Sequence, residues 1–413
     1  MWLALLVFII ILSILVITHE LGHFVLAKRA GVKVEEFGLG YPPRICGYQR
    51  DNITKKLHFF WGRGKKNKKL NKQNTIYSLN WIPFGGFNRI KGMDEIETEN
   101  DSTLRQAQGE RKMDSFSDKS LGKRILILSG GVLTHLLLAI ILLSIVFSLG
   151  APEIIEDNLS SYAKIKDESI QIFAVFDDSP AKQAGVEIGD KIIKIDNQLV
   201  KETIDIQSYL NQTKDKKVNL QIERNQESLS IDLTPQLAQQ IISTNELPAE
   251  MKDKFVLGLQ LAKVGRVSYP FPLSIWQGIK ATFVFLYQII IALIQIIIRL
   301  FNHQSVGQVL TGPIGVAVLT AEVTKLGFVY LLQFTALLAI NFALINILPF
   351  PALDGGQISF LIVEGIRGKP NNKKIEILVN NLGFFILIGL MLLVTYQDII
   401  RYGGKIIRRI LNN

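Results

Sequence analysis

Long apolar runs alternate with polar segments along this chain of 413 residues. Five of the runs are each long enough to form a helix across the hydrocarbon core of a bilayer, which takes about 20 apolar residues. Between the second and third runs the pattern changes to short segments that are typical of strands. The sequence therefore predicts an α-helical membrane protein with one inserted soluble module. The runs cover approximately residues 2–27, 125–149, 273–300, 328–350 and 376–396.

The inserted module, residues 151–267, is expected to be a small α/β barrel or sandwich. In residues 179–185, serine, proline and glycine occupy the cap, first-turn and end positions of a short helix. A second helix is expected at 204–211, and a hairpin turn at 225–226. Strands are predicted at 170–176, 191–196, 218–224 and 228–233.

The polar region between the first two runs is expected to contain a β-hairpin. Two β-prone segments, 76–81 and 87–91, flank a stretch with a proline, Gly85 and Gly86. Short strands around such turn residues are typical of a hairpin. Turns or loops are predicted at 37–44, 49–73 and 94–119.

Net charge orients the chain in the membrane. Residues 24–124 hold 21 Lys plus Arg and 11 Asp plus Glu, which accounts for the whole net charge of +10. The positive-inside rule makes this region cytoplasmic and places the N-terminus outside, although the basic residues of 401–409 oppose that orientation. The basic cluster at 63–69 beside two membrane runs favours orientation or contact with anionic lipid over nucleic acid binding. Cys46 stands alone, so an intramolecular disulfide is excluded.

Ionisable residues interrupt the first run at its end. His19 and His23, at i and i+4, lie on one face of a helix. Both imidazoles can then reach one zinc ion, with Glu20 near a metal-bound water. Ionisable groups in a membrane span are costly and indicate function. We expect a retained span rather than a cleaved signal peptide, because no basic residue precedes the run and no small-residue cleavage site ends it.

The fourth run ends in two prolines followed by Asp354. Broken backbone at membrane depth is tolerated only where it is buried in protein or lines a wet cavity. Catalytic zinc commonly takes three protein ligands, and Asp354 is the expected third. For Asp354 to lie on the same side as His23, run 273–300 must make no net crossing. It is therefore expected to be interfacial, paired with residues 306–322.

With these features, the chain resembles the site-2 protease family of intramembrane zinc metalloproteases, most closely the bacterial regulator-of-sigma-E protease group. The resemblance rests on residues 19–23 with 346–356. It implies about four transmembrane segments, a zinc site facing the cytoplasm and cleavage of transmembrane helices. It also implies that His19, His23 and Asp354 are zinc ligands and that Glu20 is the base. Further matches lie at 37–44, 82–94, 312–315 and Asn341.

The same resemblance implies substrate contacts. Residues 82–94, with Gly85 and Gly86, resemble the family's membrane-reentrant β-loop, whose edge would pair with unwound substrate; the alternative is a surface hairpin. Asn341 and Asn346 would bond the same substrate, or else other helices. Residues 170–200 resemble a PDZ domain, for which either exclusion of bulky substrates or peptide capture is expected.

One departure from the family pattern concerns His135, which stands where asparagine is usual. The histidine could donate a hydrogen bond to an oxyanion or to substrate, titrate, or have a non-catalytic buried role. The departure leaves transition-state stabilisation open and does not affect the metal site.

The sequence thus predicts a multi-pass zinc endopeptidase of the cell membrane, with an extracytoplasmic PDZ domain and a membrane-associated β-hairpin. Expected substrates are membrane-anchored proteins such as anti-sigma factors, or signal-peptide remnants. The alternatives are a non-proteolytic PDZ-containing scaffold and a zinc transporter. An intact Glu20 argues against the first, and the small number of polar residues in the spans argues against the second. The expected domains are 1–150, 151–267, 268–325 and 326–413.

Overall fold

The structure is a computed structural model, which divides into two compact units, Met1–Val146 with Ile275–Asn413 and Phe147–Ser274. The loop at 63–73, most of the loop at 94–119, the turn at 225–226 and the start of 306–322 lie outside the residues it describes. The domain boundaries expected from the sequence remain predictions. The described residues are 2–51, 55–62, 74–93, 114–155, 162–176, 178–224, 227–241, 253–302 and 311–411.

Helices form wherever the apolar runs were found, because a helix satisfies every backbone group within its own segment. At 1.5 Å per residue the first helix is about 42 Å long. In chain order the helices are α1 (Trp2–Arg29), α2 (Leu121–Leu128), α3 (Gly130–Leu149), α4 (Pro180–Gln183), α5 (Thr203–Thr213), α6 (Ala238–Ile241), α7 (Phe271–Phe301), α8 (Pro313–Leu326), α9 (Phe328–Ile347), α10 (Asp354–Arg367) and α11 (Lys373–Leu411).

Five of these helices are long and apolar enough to cross a membrane, judged within the described residues by length and composition. Whether α7 makes a net crossing therefore stays a prediction. Its expected pairing with residues 306–322 is wrong, because α8 packs mainly against α1, α9 and α11. The candidate spans are Leu5–Arg29, Gly130–Leu149, Phe271–Arg299, Phe328–Ile347 and Lys373–Gly403.

Strands occupy two regions of the chain. The first unit holds β1 to β3, and the second unit holds the rest. In chain order the strands are β1 (Val34–Arg50), β2 (Leu57–Trp61), β3 (Ile76–Ile90), β4 (Ala151–Ile154), β5 (Lys164–Val175), β6 (Lys191–Ile195), β7 (Gln198–Leu199), β8 (Val218–Arg224), β9 (Glu227–Leu233), β10 (Gln236–Leu237), β11 (Phe255–Val256) and β12 (Leu259–Ser268).

The predicted hairpin at 76–91 is wrong in its pairing. Both β1 and β3 are long bent strands, and the two arms of β3 each pair with β1 instead of with each other. Leu39, for example, is a partner of both Leu79 and Gly86. The turn-rich segment 37–44 lies inside β1, and part of the predicted loop at 49–73 forms β2. Local sequence propensity predicts the strands, but it does not show that one arm of β1 lies between the two arms of β3.

A buried polar cluster holds the two bent strands together. Arg44 donates to both carboxylate oxygens of Glu36, at 3.0 Å from Nε and 2.5 Å from Nη2. The Ser78 hydroxyl donates to the same carboxylate at 2.6 Å. A bidentate arginine–carboxylate pair is among the stronger protein hydrogen-bond arrangements, so the sheet has a fixed shape.

Helices α1 and α3 approach each other so closely that only glycine fits at their crossing. A Cβ on Gly22 would lie 2.1 Å from the carbonyl oxygen of Gly130, and one on Gly130 would lie 2.7 Å from the carbonyl of Gly22. Small residues at helix crossings in membranes allow this backbone contact. The crossing brings α3 against the part of α1 that carries His19 and His23.

The predicted helix break near Asp354 is present. Helix α9 ends at Ile347, and α10 begins at Asp354. A Cβ on Gly355 would lie 2.2 Å from the carbonyl oxygen of Ile347, so the chain folds back tightly at this point. The main-chain N–H of Ala352, whose φ is +73°, donates to Asn380 Oδ1 of α11 at 3.2 Å, which holds the loop before Asp354 in place.

The second unit contains a seven-stranded sheet with the order β4-β12-β5-β6-β8-β9, and β7 pairs with β6. All four strands predicted from the sequence are confirmed, and so are both helices. Ser179 caps α4 by accepting a hydrogen bond from the N–H of Lys182 at 3.2 Å, as its position in the sequence predicted. An apolar core fills the unit, formed by Ile170, Ile172, Val186, Ile192, Ile206, Leu220 and Ile222 among others.

Candidate metal centre

Three side chains predicted as metal ligands converge at one point. His19 and His23 come from successive turns of α1, and Asp354 comes from the first turn of α10. Asp354 Oδ2 lies 3.2 Å from His19 Nε2 and 3.3 Å from His23 Nε2. The two Nε2 atoms are 3.1 Å apart. One nitrogen of each ring and one carboxylate oxygen therefore form a small triangle.

The proton inventory of this triangle favours a cation at its centre. His23 Nδ1 donates to the backbone carbonyl of Ile127 at 2.9 Å, so in the neutral ring Nε2 carries a lone pair and no proton. Within the described residues, Asp354 Oδ2 accepts no hydrogen bond although it is buried. Acceptors that face one another in a buried place are costly unless they are paired or coordinate a metal.

The size of the triangle also fits zinc. Zinc bonds of about 2.0–2.2 Å in tetrahedral geometry separate neighbouring ligand atoms by roughly 3.3 Å. The three observed separations are 3.1–3.3 Å. Two imidazoles and one carboxylate form a donor set that zinc takes in catalytic sites, where a fourth position stays open for water.

Neighbouring helices fix the two histidine rings differently. The ring of His23 is oriented by its bond to the carbonyl of Ile127 in α2, the outer contact that metal-binding histidines generally make. The ring of His19 packs against Gly131, where a Cβ would lie 2.2–2.7 Å from three ring atoms. Glycine at position 131 is therefore needed to leave room for His19.

The helix that carries Asp354 is tied to the helix that orients His23. Arg124 of α2 forms a partly buried ion pair with Glu364 of α10, with a second contact from Nη1 to Oε2 at 3.4 Å. Ile127 lies on the same helix as Arg124. The ion pair thus holds together the two parts of the chain that supply Asp354 and the partner of His23.

The expected base, Glu20, is held by a residue that the sequence analysis did not single out. Asn88 Nδ2 donates to Glu20 Oε2 at 3.0 Å, and also to the main-chain carbonyl of Glu20. Asn88 lies in β3, within the residues 82–94 that resemble the family's β-loop, but neither the hairpin prediction nor the resemblance indicates a role for this side chain. The available signal was its alternation with Gly86, which puts both residues on one side of the strand.

The predicted glycines lie beside α1. A Cβ on Gly86 would be 3.6 Å from Glu20 Cγ, and one on Gly85 would be 3.0 Å from a methyl of Val16. Gly85 has a φ of +78°, a conformation that L side chains rarely adopt. The structure therefore brings this part of β3 close to the base.

The two asparagines of α9 are less involved. Asn341 Nδ2 donates to the carbonyl of Leu337 in its own helix at 3.0 Å. Asn346 is half-buried in the last turn before the helix break. The substrate contacts or interhelical bonds expected for Asn341 and Asn346 remain predictions.

His135 lies next to the cluster. Its residue is 2% exposed, and its ring centroid is 5.2 Å from that of His19 and 5.8 Å from that of Phe342. Its Nδ1 has no hydrogen-bond partner among the described residues. The structure thus places the unusual histidine against a proposed ligand, and its chemical role remains a prediction.

Comparison with known proteins agrees with this arrangement. The model of peptidase family M50 matches residues 7–62 and 54–390, so the chain belongs to this family of site-2 proteases. It is a zinc metalloprotease of the site-2 type. The zinc metalloprotease RasP of Geobacillus kaustophilus is 27% identical over 96% of this chain and 97% of its own length.

Two further relatives are named, provisionally, as zinc metalloproteases. A protein of Clostridium perfringens is 31% identical over 94% of this chain and 96% of its own length. One from Staphylococcus aureus is 28% identical over 96% and 97%. Among solved structures, the PDZ domain of the SdrC-like protein of Listeria monocytogenes matches 24% of this chain and 92% of that chain, with 18% identity and a TM-score of 0.19, too low to support an argument.

Proposed function

We propose that this zinc metalloprotease cuts transmembrane segments of membrane-anchored proteins within the bilayer, near the cytoplasmic face. The observation that carries the proposal is the meeting of His19, His23 and Asp354 at the ends of two apolar helices. A hydrolytic site at such a depth is suited to a bond that is itself in the membrane. A soluble substrate would not require it.

In the proposed mechanism His19, His23 and Asp354 hold zinc, and Glu20 moves the proton. Zinc supplies Lewis acidity and makes hydroxide available at neutral pH. Glu20 accepts the proton of the attacking water and gives it to the leaving nitrogen as the C–N bond breaks. His23 is kept in the tautomer with its proton on Nδ1 by the carbonyl of Ile127, which leaves Nε2 free to bind the metal.

The contact between His23 and Asp354 supports the proposed membrane topology. In this scheme the ends of α1 and α9 lie on the same side of the bilayer. The chain between α3 and α9 then makes an even number of crossings, and a single crossing by α7 is excluded in the proposed scheme. Helix α8, about 21 Å long, is too short to return the chain across a core of about 30 Å.

This topology can be tested by labelling single cysteines in a Cys46→Ser background. Lys216→Cys and Asn302→Cys, both at exposed positions, precede and follow α7 within the scheme. We expect both to react with an impermeant thiol reagent from the outside of intact cells. Reaction of Asn302→Cys only after the cells are opened would show a crossing by α7 and overturn the scheme.

The sheet of β1, β2 and β3 supports contact with lipid and with substrate. Phe59, Trp61 and Trp81 are 67–79% exposed, and aromatic side chains of this kind favour the membrane interface. A substrate helix must unwind before its peptide bonds can reach the metal, and the freed N–H and C=O groups then need partners. The β3 arm beside Glu20 is the proposed partner for that backbone.

The inserted second unit is proposed to be a PDZ domain outside the cytoplasm. Its helix at Pro180–Gln183, followed by Gly185 and Asp190, lies where the sequence resembles bacterial PDZ domains. Exclusion of bulky substrates and capture of a peptide both remain open as its role.

The central experiment compares wild type with Glu20→Gln in detergent, using a panel of single-span model substrates with and without a zinc chelator. We expect wild type to cut within the membrane segment, the chelator to stop it, and Glu20→Gln to retain zinc but lose at least about 10²-fold in rate. Equal cleavage by the two proteins would contradict the assignment of the base. Cleavage confined to soluble segments would contradict the proposed substrate class.

A further inference from the structure

The side-chain amide of Asn88 has hydrogen-bond partners on its nitrogen and, among the described residues, none on its oxygen. Its two N–H groups point to two acceptors, the carboxylate and the main-chain carbonyl of Glu20. Turning the amide over would set Oδ1 against both acceptors, so the orientation of the side chain is fixed. Within the described residues, Asn88 Oδ1 is closed to solvent and accepts no hydrogen bond.

An unpaired buried acceptor costs free energy and calls for an explanation. Among the described residues, neither the sheet nor α1 supplies a donor to Asn88 Oδ1. The missing partner is therefore a donor that arrives with another molecule. A main-chain N–H is the donor that an unwound peptide brings to this place.

The position of Asn88 Oδ1 indicates which main-chain N–H of the unwound peptide is its donor. Oδ1 belongs to the same planar amide as Nδ2, which lies 3.0 Å from Glu20 Oε2. Glu20 is the group that, in the proposed function, hands a proton to the nitrogen of the breaking bond. The nitrogen that approaches Glu20 to be protonated therefore also comes within reach of Oδ1.

Resting on the proposed function, we infer that Asn88 Oδ1 accepts a hydrogen bond from the main-chain nitrogen on the leaving side of the scissile bond. Asn88 thereby contacts substrate directly while its N–H groups position Glu20. The acceptor becomes available as the substrate strand displaces the side chains that cover it. When the C–N bond breaks and Glu20 transfers its proton, the product is an amine, which still donates to Oδ1.

A role through Glu20 alone is the competing explanation, and the two differ in what they demand of the substrate. Positioning of Glu20 helps any acyl substrate. Acceptance from the leaving nitrogen helps only a substrate that carries an N–H there. An ester at the scissile position has oxygen in place of that N–H, so it separates the two roles.

The experiment uses the full chain in detergent and two synthetic transmembrane substrates that differ only in an amide or an ester at the cleaved bond. Wild type, Asn88→Leu and Asn88→Ser are compared for kcat and KM on both. Asn302→Leu, at an exposed asparagine just after α7, is the matched control and should behave as wild type. Zinc content and thermal unfolding are measured for every variant.

For Asn88→Leu we expect kcat to fall on both substrates and the loss on the amide to exceed the loss on the ester by about tenfold, the worth of one hydrogen bond. Asn88→Ser is too short to reach Glu20 and should give the same excess, which keeps the test valid if the leucine variant folds poorly. Asn88→Asp retains an acceptor oxygen but lacks the donors. It should be slow on both substrates, with the amide-to-ester ratio of wild type.

Equal losses on amide and ester in both Asn88→Leu and Asn88→Ser would overturn the inference and leave Asn88 as a residue that acts only through Glu20. Unchanged rates would overturn both roles. If wild type cuts neither substrate, it is the proposed intramembrane proteolysis that fails, and this result is distinct from a change in the ratio.

Discussion

Two buried aspartates, one in each unit, show how differently the same side chain is used. Asp190 in the second unit is 1% exposed and accepts hydrogen bonds from Arg224 Nε at 2.7 Å, Arg224 Nη2 at 2.7 Å and the N–H of Glu187 at 2.9 Å. Asp354 in the first unit presents Oδ2 to two imidazoles and accepts no hydrogen bond there within the described residues. The carboxylate of Asp190, whose hydrogen bonds are satisfied, stabilises the fold. Asp354 Oδ2, which accepts no hydrogen bond, is available to a ligand.

The comparison also holds for the partners. Arg224 also donates to Glu187 at 3.1 Å and to the carbonyl of Gly185 at 2.8 Å. Its hydrogen bonds with Asp190, helped by the charges of Asp190 and Glu187, raise the pKa of the guanidinium above its ordinary value. Among the described residues, Asp354 has ion-pair contacts only with the two histidines. In the proposed site, a metal would supply the positive charge that arginine supplies in the other unit.

The largest expected effect comes from removing the unsatisfied carboxylate. Asp354→Asn replaces one of three ligands with a weak neutral one. We expect zinc affinity to fall by more than the roughly 10- to 100-fold that outer contacts are worth, and proteolysis to disappear. Zinc content by mass spectrometry of the purified protein checks this. Zinc retained at wild-type affinity would show that the aspartate is not a ligand.

The satisfied aspartate should act on stability instead. Asp190→Ala leaves Arg224 without its main partner and should destabilise the second unit by about 3 kcal/mol. Zinc content should not change. Asp232→Ala is the matched control, since its pair with Lys217 is exposed to solvent and should contribute little to stability. Thermal unfolding followed beside zinc content tests the pair, and loss of zinc in Asp190→Ala would break the comparison.

A methyl group beside His19 tests the geometry of the first unit without changing any ligand. Gly131→Ala puts a Cβ within 2.2–2.7 Å of three atoms of the His19 ring and must displace it. We expect zinc affinity to drop by about 10- to 100-fold, as when an outer contact is lost.

Gly122→Ala serves as its control, because nothing lies within 4 Å of the new methyl group. Zinc competition with a fluorescent chelator measures both variants. If Gly131→Ala and Gly122→Ala bind zinc alike, the packing of His19 on α3 has no part in building the site.

The smallest effect is expected at His135. His135→Asn keeps a polar side chain of the family's usual type beside His19, so zinc content should be unchanged and kcat should stay within about tenfold of wild type. Cleavage kinetics together with zinc content test this. A loss of 100-fold or more at full zinc occupancy would show that the imidazole takes part in the reaction.

The strand pairing in the sheet beside the candidate metal centre could not be predicted from the sequence. Local patterns located the strands at 76–81 and 87–91, but pairing is a property of distant segments, and β1 between the arms of β3 has no local signature. The contact between Asn88 and Glu20 escaped for the same reason, because 68 residues separate the two.

By itself, the sequence determined the apolar helices and the strands of the inserted unit, because each follows from a periodicity. It also identified His19, His23 and Asp354 as candidate metal ligands, because each is an ionisable group in or just after an apolar run. The tertiary structure alone decided how β1 and β3 interlock, which carbonyl orients His23, and which glycines let α1 and α3 touch. These depend on through-space distances between segments far apart in the chain. Such distances are set when the helices and strands pack, and they leave no periodic trace in the order of residues.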